Sequence, residues 1–339
     1  MQRNAIGPAS HFDQDAMTHH HLKATPDNVH WGYWDASIAP VLKINSGDRV
    51  TIETLSGDVP HLPKTESGFV ILSDHRAVLE AGRRGPGPHH LTGPIEIAGA
   101  EPGHVLEVRM VDIKLRQNWG WNIQLPCMGT LPEDFQEARL FHIALDTAAN
   151  TGKLPWGQEI PLDPFFGAFG VAPPSSWGRL SSKEPRAFGG NMDNKELGAG
   201  ATVYFPVFTE GALFSAGDGH ALQGDGEVCL TAIETALTGT FEFILRKDMR
   251  LQGPRAERND VWITMGFDED LDDAVKHALR DMIRLIGELT GLAASEAYTL
   301  CSLAADLRVT QTVDGNKGIH CVIRKDRLPA RAEIAKRSP

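Results

Sequence analysis

His104-Val-Leu-Glu-Val-Arg-Met-Val-Asp-Ile113 is the stretch that decides the fold class. Leu106, Val108 and Met110 fall on one face of it, and Glu107 and Arg109 share the other with Val105 and Val111. A side-chain period of two with one apolar face is the signature of a strand lying on a core. Working outward, Arg49–Leu55, Ile95–Ala98, Leu140–Leu145, Thr202–Phe208 and Thr240–Leu245 repeat that pattern between Gly, Pro and Asp punctuation. The spacing predicts antiparallel sheet from Val41 to Phe267. Beyond it the period changes. Asp268–Glu288 places Leu271, Val275, Ala278, Leu279, Met282, Ile283 and Ile286 at helical spacing, with acidic residues in the first turn and Gly291 just past the end. Ser295 is expected to cap a second helix running to Ala305, and Arg308–Val313 with Ile319–Ile323 reads as a closing hairpin. The expected fold is β-rich α+β, with antiparallel sheets in a sandwich-like core and a helical C-terminal appendage. The expected divisions are an N-terminal segment 1–25, a β-rich catalytic region 26–267, and a helical and hairpin region 268–339 packed on the same core.

The 339 residues carry 33 Lys plus Arg against 44 Asp plus Glu, a formal charge of −11, and are 41 % hydrophobic. That excludes a disordered chain and argues against nucleic acid, which needs a concentrated basic face. No apolar run approaches the ~18 residues of a membrane span. Cys127, Cys229, Cys301 and Cys321 are widely spaced, so neither a zinc ribbon nor a disulfide framework is indicated. These features predict a soluble, cytoplasmic protein. A homodimer or higher homo-oligomer is expected on base rates. The apolar stripe of the predicted helix most simply packs on its own sheet.

The densest chemistry is Ser215-Ala-Gly-Asp-Gly-His-Ala-Leu-Gln-Gly-Asp-Gly-Glu227. Asp218 and His220 are two apart, so on an extended strand both point the same way, as two ligands of one metal would. Taken alone, the stretch reads more simply as two Gly-Asp-Gly turns. Gly189-Gly-Asn-Met-Asp193 and Pro88-His-His-Leu-Thr-Gly-Pro94 shift that balance, because they add Asn191, Asp193, His89 and His90 to a mixed nitrogen and oxygen donor set of the type zinc prefers. P-loop, Rossmann, H-E-x-x-H, EF-hand and G-x-S-x-G patterns are absent from the sequence. Ser181-Ser182-Lys183 is expected to be a polar loop. Cys229, read as part of an alternating strand, is expected to be buried as a small hydrophobe. The Gly/Pro/Ser-rich stretch Pro164–Gly190 is expected to form long ordered loops over the site, with Phe165, Phe166, Phe169 and Trp177 either lining an apolar pocket or packing in the core.

Gly189–Asn194, Tyr204–Phe208, Gly211–His220 and Gln223–Val228 together resemble the central signature of the acetamidase/formamidase family. His89–Ile95, Gly99–Gly103, Gly167–Pro173, Glu296–Tyr298 and Ser302–Gln311 match its other elements, so the resemblance runs from about Asn28 to Leu328. One position departs: His104 stands where the family usually has Asp. The resemblance implies a β-rich amide hydrolase with a metal-type site, taking a small-molecule amide such as formamide or acetamide to ammonia and the acid. The expected metal ligands are Asp193, Asp218 and His220, joined by His89, around a divalent cation, zinc first and calcium second. Glu227 is expected as general base, with a ligand role open to it, and Asn191 as donor to the carbonyl oxygen. Two alternatives stand beside this: hydrolysis of a larger amide or another C–N bond, and a non-catalytic β-rich protein with a structural metal.

Overall fold

The computed structural model describes residues 17–331. Alternation at His104–Ile113 becomes the strand Val105–Leu115, whose Leu106, Val108 and Met110 are fully buried. It lies near the middle of a nine-stranded sheet. In spatial order the strands are His19–Leu22, Arg49–Glu53, Leu237–Arg246, Val105–Leu115, Thr202–Pro206, Arg255–Glu257, Val261–Asp268, Lys317–Arg324 and Ala305–Gln311. Every pairing in it is antiparallel except the first. A second sheet, of six strands, runs Gly189–Asn191, Phe165–Gly170, Phe214–His220, His90–Ile97 and Val29–Trp31, with Leu42–Ile44 also paired to His90–Ile97. A smaller sheet of four strands holds Trp119–Gln124 and Arg139–Asp146.

The two large sheets face each other across one apolar core. Phe241 of the first sheet meets Phe166 and Phe214 of the second at ring separations of 5.3 and 5.7 Å, and Phe205 meets Phe169 at 5.6 Å. Aromatic contacts between inward-facing strand positions are what hold a sandwich at its ~10 Å spacing. Segment Pro164–Gly190 therefore departs from the expected loops: the strand Phe165–Gly170 runs through it with every residue buried. Phe165, Phe166 and Phe169 are core, Trp177 is exposed on the surface, and no aromatic pocket forms from them.

The helices are α1 (Ser73–Ala81), α2 (Leu271–Thr290) and α3 (Ala294–Ala304). In α2 the Asp270 carboxylate accepts from the N–H groups of Asp272 and Asp273, and Gly291 closes the helix at φ 86°. Its apolar stripe, Ala274, Ala278, Met282, Leu285 and Ile286, packs on Ile319, Cys321 and Ile323 of its own sheet. A side chain at Gly266 would collide with the Ala274 carbonyl, so this glycine sets how closely the helix approaches. Arg255, buried beneath, donates to Asp281 at 2.8 Å and Glu288 at 2.6 Å. Ser295 does not cap α3. It lies inside the first turn, and Glu296 accepts from the Ala293 N–H instead. Cys229 also departs from expectation: it is half-buried in a turn at 228–229, where Asn122 Nδ2 donates to its Sγ at 3.3 Å. Among the described residues, no helix is long and apolar enough to cross a membrane.

Candidate active site

Three neighbouring strands of the six-stranded sheet build the floor. Phe165–Gly170 lies between Phe214–His220 and Gly189–Asn191, pairing Phe165 with His220 and Ala168 with Asn191. Asp218 and His220 project from one neighbour and Asn191 from the other, while Asp193 follows two residues later. The strand between them carries Gly167 at the crossing point. A Cβ there would collide with Asp193 Oδ1, Asp218 Oδ2 and His220 Cε1, so the absent side chain is the space in which they meet. Asp193, Asp218 and Glu227 all adopt left-handed backbone, at φ 47°, 56° and 44°. Non-glycine residues held there are uncommon, and such strain clusters at functional sites.

His220 Nε2 stands 3.2 Å from Glu234 Oε1, 3.4 Å from Asp218 Oδ2 and 3.9 Å from Asp193 Oδ1. Its ring is buried, with Phe165 edge-on at 5.0 Å. Two sets of potential ligand atoms, Asp193/His220/Glu227 and Asp218/His220/Glu234, lie within 4.8 Å of one another and share this imidazole. His89 Nε2 is 3.7 Å from Asp218 Oδ1, and its Nδ1 is 3.0 Å from the Ser182 carbonyl, the arrangement that leaves Nε2 facing the carboxylates. Ser182 is thus buried beneath His89, not part of an open polar loop. Asn191 donates both amide hydrogens, to Asp193 at 2.8 Å and Asp314 at 3.0 Å.

The electrostatics fit a bound cation. Burial, then the charges of Glu227 and Asp314, hold the Asp193 carboxyl well above the usual carboxylate range. Burial and Asp314 do the same to Glu227, and burial pushes Asp314 up to about 6 and raises Glu234. Burial would raise Asp218 as well, but His89 and His220 hold it below its ordinary value. Burial opposes charge on His220, and Glu234 and Asp218 overcome it, raising its pKa. Asp193 Oδ1, Glu227 Oε2, His220 Nδ1 and Asn191 Oδ1 are buried with no hydrogen-bond partner among the described residues. Buried carboxylates at this density are costly unless something positive is shared between them. A donor set of carboxylate oxygens around an imidazole is one that zinc accepts, whereas calcium takes oxygen ligands alone.

All the residues expected from sequence, His89, Asn191, Asp193, Asp218, His220 and Glu227, line one cavity of about 310 Å³. Asp225 does not join them; it pairs with Lys195 at 3.0 Å outside the cavity. Glu234, Asp314 and Lys183 line the cavity without having been expected. Glu234 sits in the otherwise apolar run Ala232-Ile-Glu-Thr-Ala236, and a lone acid in such a run was the available signal. Asp314 reads as an ordinary Asp-Gly turn in the C-terminal hairpin, and only the folding of that hairpin over Asn191 brings it in. His104, the departure noted above, accepts at Nδ1 from the Glu101 N–H in a surface turn.

Comparison with known proteins identifies the family. The model of the Acetamidase/Formamidase family matches residues 17–183 and 179–324. A formamidase of Methylophilus methylotrophus is 31% identical over 200 residues, 44% of this chain and 49% of that protein. An acetamidase of Mycolicibacterium smegmatis is 28% identical over 198 residues, 41% of this chain and 49% of that protein. The chain thus spans about half the length of these curated relatives. Among solved structures, an acetamidase from Yersinia enterocolitica superposes with a TM-score of 0.81 at 27% identity, covering 94% of each chain. A predicted acetamidase/formamidase from Thermoanaerobacter tengcongensis superposes at 0.79 and 28% identity, covering 91% of this chain and 96% of that one. With the family model matched across residues 17–324 and the sandwich shared with these solved structures, the chain belongs to the acetamidase/formamidase family.

Proposed function

We propose that the protein hydrolyses a carboxamide to the carboxylate and ammonia, with a divalent cation, zinc, at the buried carboxylate floor. The observation that carries this is the convergence of Asp193, Asp218, Glu227 and Glu234 on the single imidazole of His220 beneath an open cavity. Asp218, His220 and Glu234, with Asp193 alongside, would hold the cation, and His89 stands beside Asp218 with its Nε2 3.7 Å from Oδ1. A divalent cation held there would supply the chemistry of a lowered water pKa and a polarised carbonyl. Glu227 takes the proton from the attacking water and passes it to the departing nitrogen, because an amide nitrogen leaves only once protonated.

The amide hydrogens of Asn191 are committed to Asp193 and Asp314, so Asn191 positions carboxylates and the donor to the developing oxyanion is another group. Lys183 suits that role: it lines the cavity, and its charge reaches the floor, where it favours the charged form of Asp314. A positioned donor of this kind lowers the barrier by about 3 kcal/mol. The carboxamide class itself is supported by the formamidase and acetamidase relatives. Chelation followed by metal analysis and re-addition of zinc tests the reading. Loss of ammonia release on chelation and its return with zinc is expected, and full activity of a demonstrably metal-free preparation would sink it. Glu227→Gln is expected to retain metal and lose turnover.

A further inference from the structure

Above the polar floor the cavity has a wall of a different character. Leu55, Trp121, Ile123, Leu125, Met128 and Leu230 line it, and of these only Leu55 belongs to a hydrophobic core cluster among the described residues. Ile123, Leu125, Met128 and Leu230 are half-buried apolar side chains outside those clusters, and Trp121 is buried at the edge of the same wall. The wall is also built to hold its shape. Trp121 stacks on His61 at 4.1 Å with the planes 13° apart, and its Nε1 donates to Ser56 Oγ at 3.2 Å. The loop carrying Met128 is fastened to the loop carrying Leu230, since the Thr130 N–H donates to the Val228 carbonyl at 2.9 Å.

A cavity of about 310 Å³ far exceeds what a four-heavy-atom amide fills. Pockets of roughly 300–1,000 Å³ normally enclose ligands of drug size. Formamide or acetamide on the floor would leave the apolar wall in contact with water only. From this we infer that the preferred substrate is a primary carboxamide with a bulky apolar acyl group, aromatic or branched, whose acyl part packs on Trp121, Ile123 and Leu230 while its carboxamide reaches the floor. This rests on the proposed amide hydrolysis and narrows it. The reaction is R–CO–NH2 + H2O → R–COO⁻ + NH4⁺: the C–N bond breaks, a C–O bond forms, and the nitrogen leaves with the protons taken from water and from the new acid.

The test is a kcat/KM series on the metal-loaded protein across formamide, acetamide, isobutyramide, benzamide and phenylacetamide, with acetanilide as the nitrogen-substituted control. Benzamide or phenylacetamide should exceed acetamide by about 100-fold, given what even single methylenes are worth in an apolar pocket. Calorimetry should show benzoate binding about tenfold or more tighter than acetate, for the same reason. The variant Ile123→Trp, which fills the wall, should lower kcat/KM for benzamide more than for acetamide. Turnover of acetamide with no gain for the larger amides overturns the inference and leaves the proposed hydrolysis standing. A preference for acetanilide over benzamide overturns the acyl-side assignment. No ammonia from any amide overturns the proposed hydrolysis itself, and tight benzoate binding would then show the apolar wall to be real on its own.

Discussion

The inner face of α2 and the carboxylate floor around His220 are both buried, yet they are built on opposite terms. In α2 the apolar spacing and both ends agree with the tertiary result. The apolar residues fall at helical spacing, Asp270 caps the start, Gly291 ends the helix, and the buried charge of Arg255 meets two carboxylates. At the floor the local preferences conflict. Carboxylates are crowded together, three residues sit in left-handed backbone, and a glycine stands where any side chain would collide. The helical layer is thus a source of stability, and the floor is held in place by the sandwich around it. Consistency across levels marks the structural part of a protein, and its local failure marks the functional part.

Substitutions separate the two regions. Met282 is fully buried between α2 and its sheet, so Met282→Ala is expected to cost about 2–5 kcal/mol of stability in chemical denaturation. Activity at a temperature where the variant stays folded should be unchanged, and a large loss there would break the distinction. Gly167→Ala should do the reverse. The added methyl displaces Asp193, Asp218 and His220, and a misplacement of that size is expected to cost about 100-fold or more in kcat/KM. Far-ultraviolet circular dichroism should stay native while the affinity for zinc falls. Wild-type metal affinity in this variant would show that the floor does not need the space.

A smaller effect separates the site-bearing sheet from α2 by pH. His30 is buried against the floor strand, its Nε2 2.9 Å from Ser215 Oγ, and burial pushes its pKa down from 6.5 to about 4. Between those values the unfolded chain binds the proton and the folded chain does not, so stability falls as pH drops through this window. The loss attributable to His30 between pH 7 and pH 5 is about 2 kcal/mol. His30→Gln should flatten the stability–pH profile by about that amount. An unchanged slope would mean that this imidazole is protonated in the folded state.

Much of the architecture was legible because it rests on periodicity. The alternation at Leu106, Val108 and Met110 and the stripe through Ala274, Ala278, Met282 and Ile286 are properties of consecutive residues, and both elements formed where the sequence placed them. The segment Pro164–Gly190 was misread because its glycines look like loop punctuation. They are in fact demanded by neighbours: Gly167 by the side chains of two adjacent strands, and Gly170 by the Phe188 carbonyl. Ser295 was misread because the same residue type serves as a cap or in the first turn, and here it lies two positions past the N-cap Ala293.

The sequence by itself determined the β-rich class, the C-terminal helix with Gly291 at its end, and the expectation that His89, Asn191, Asp193, Asp218, His220 and Glu227 share one site, because each belongs to a short pattern readable along the chain. Only the tertiary structure decided that Glu234 and Asp314 face the same space, that Asp225 does not, and that Asn191 spends its donors on carboxylates. Those facts depend on strand pairing and on the C-terminal hairpin closing over Asn191, contacts between residues 123 positions apart in sequence. Local chemistry specifies which side chains are available, and long-range packing specifies which of them meet.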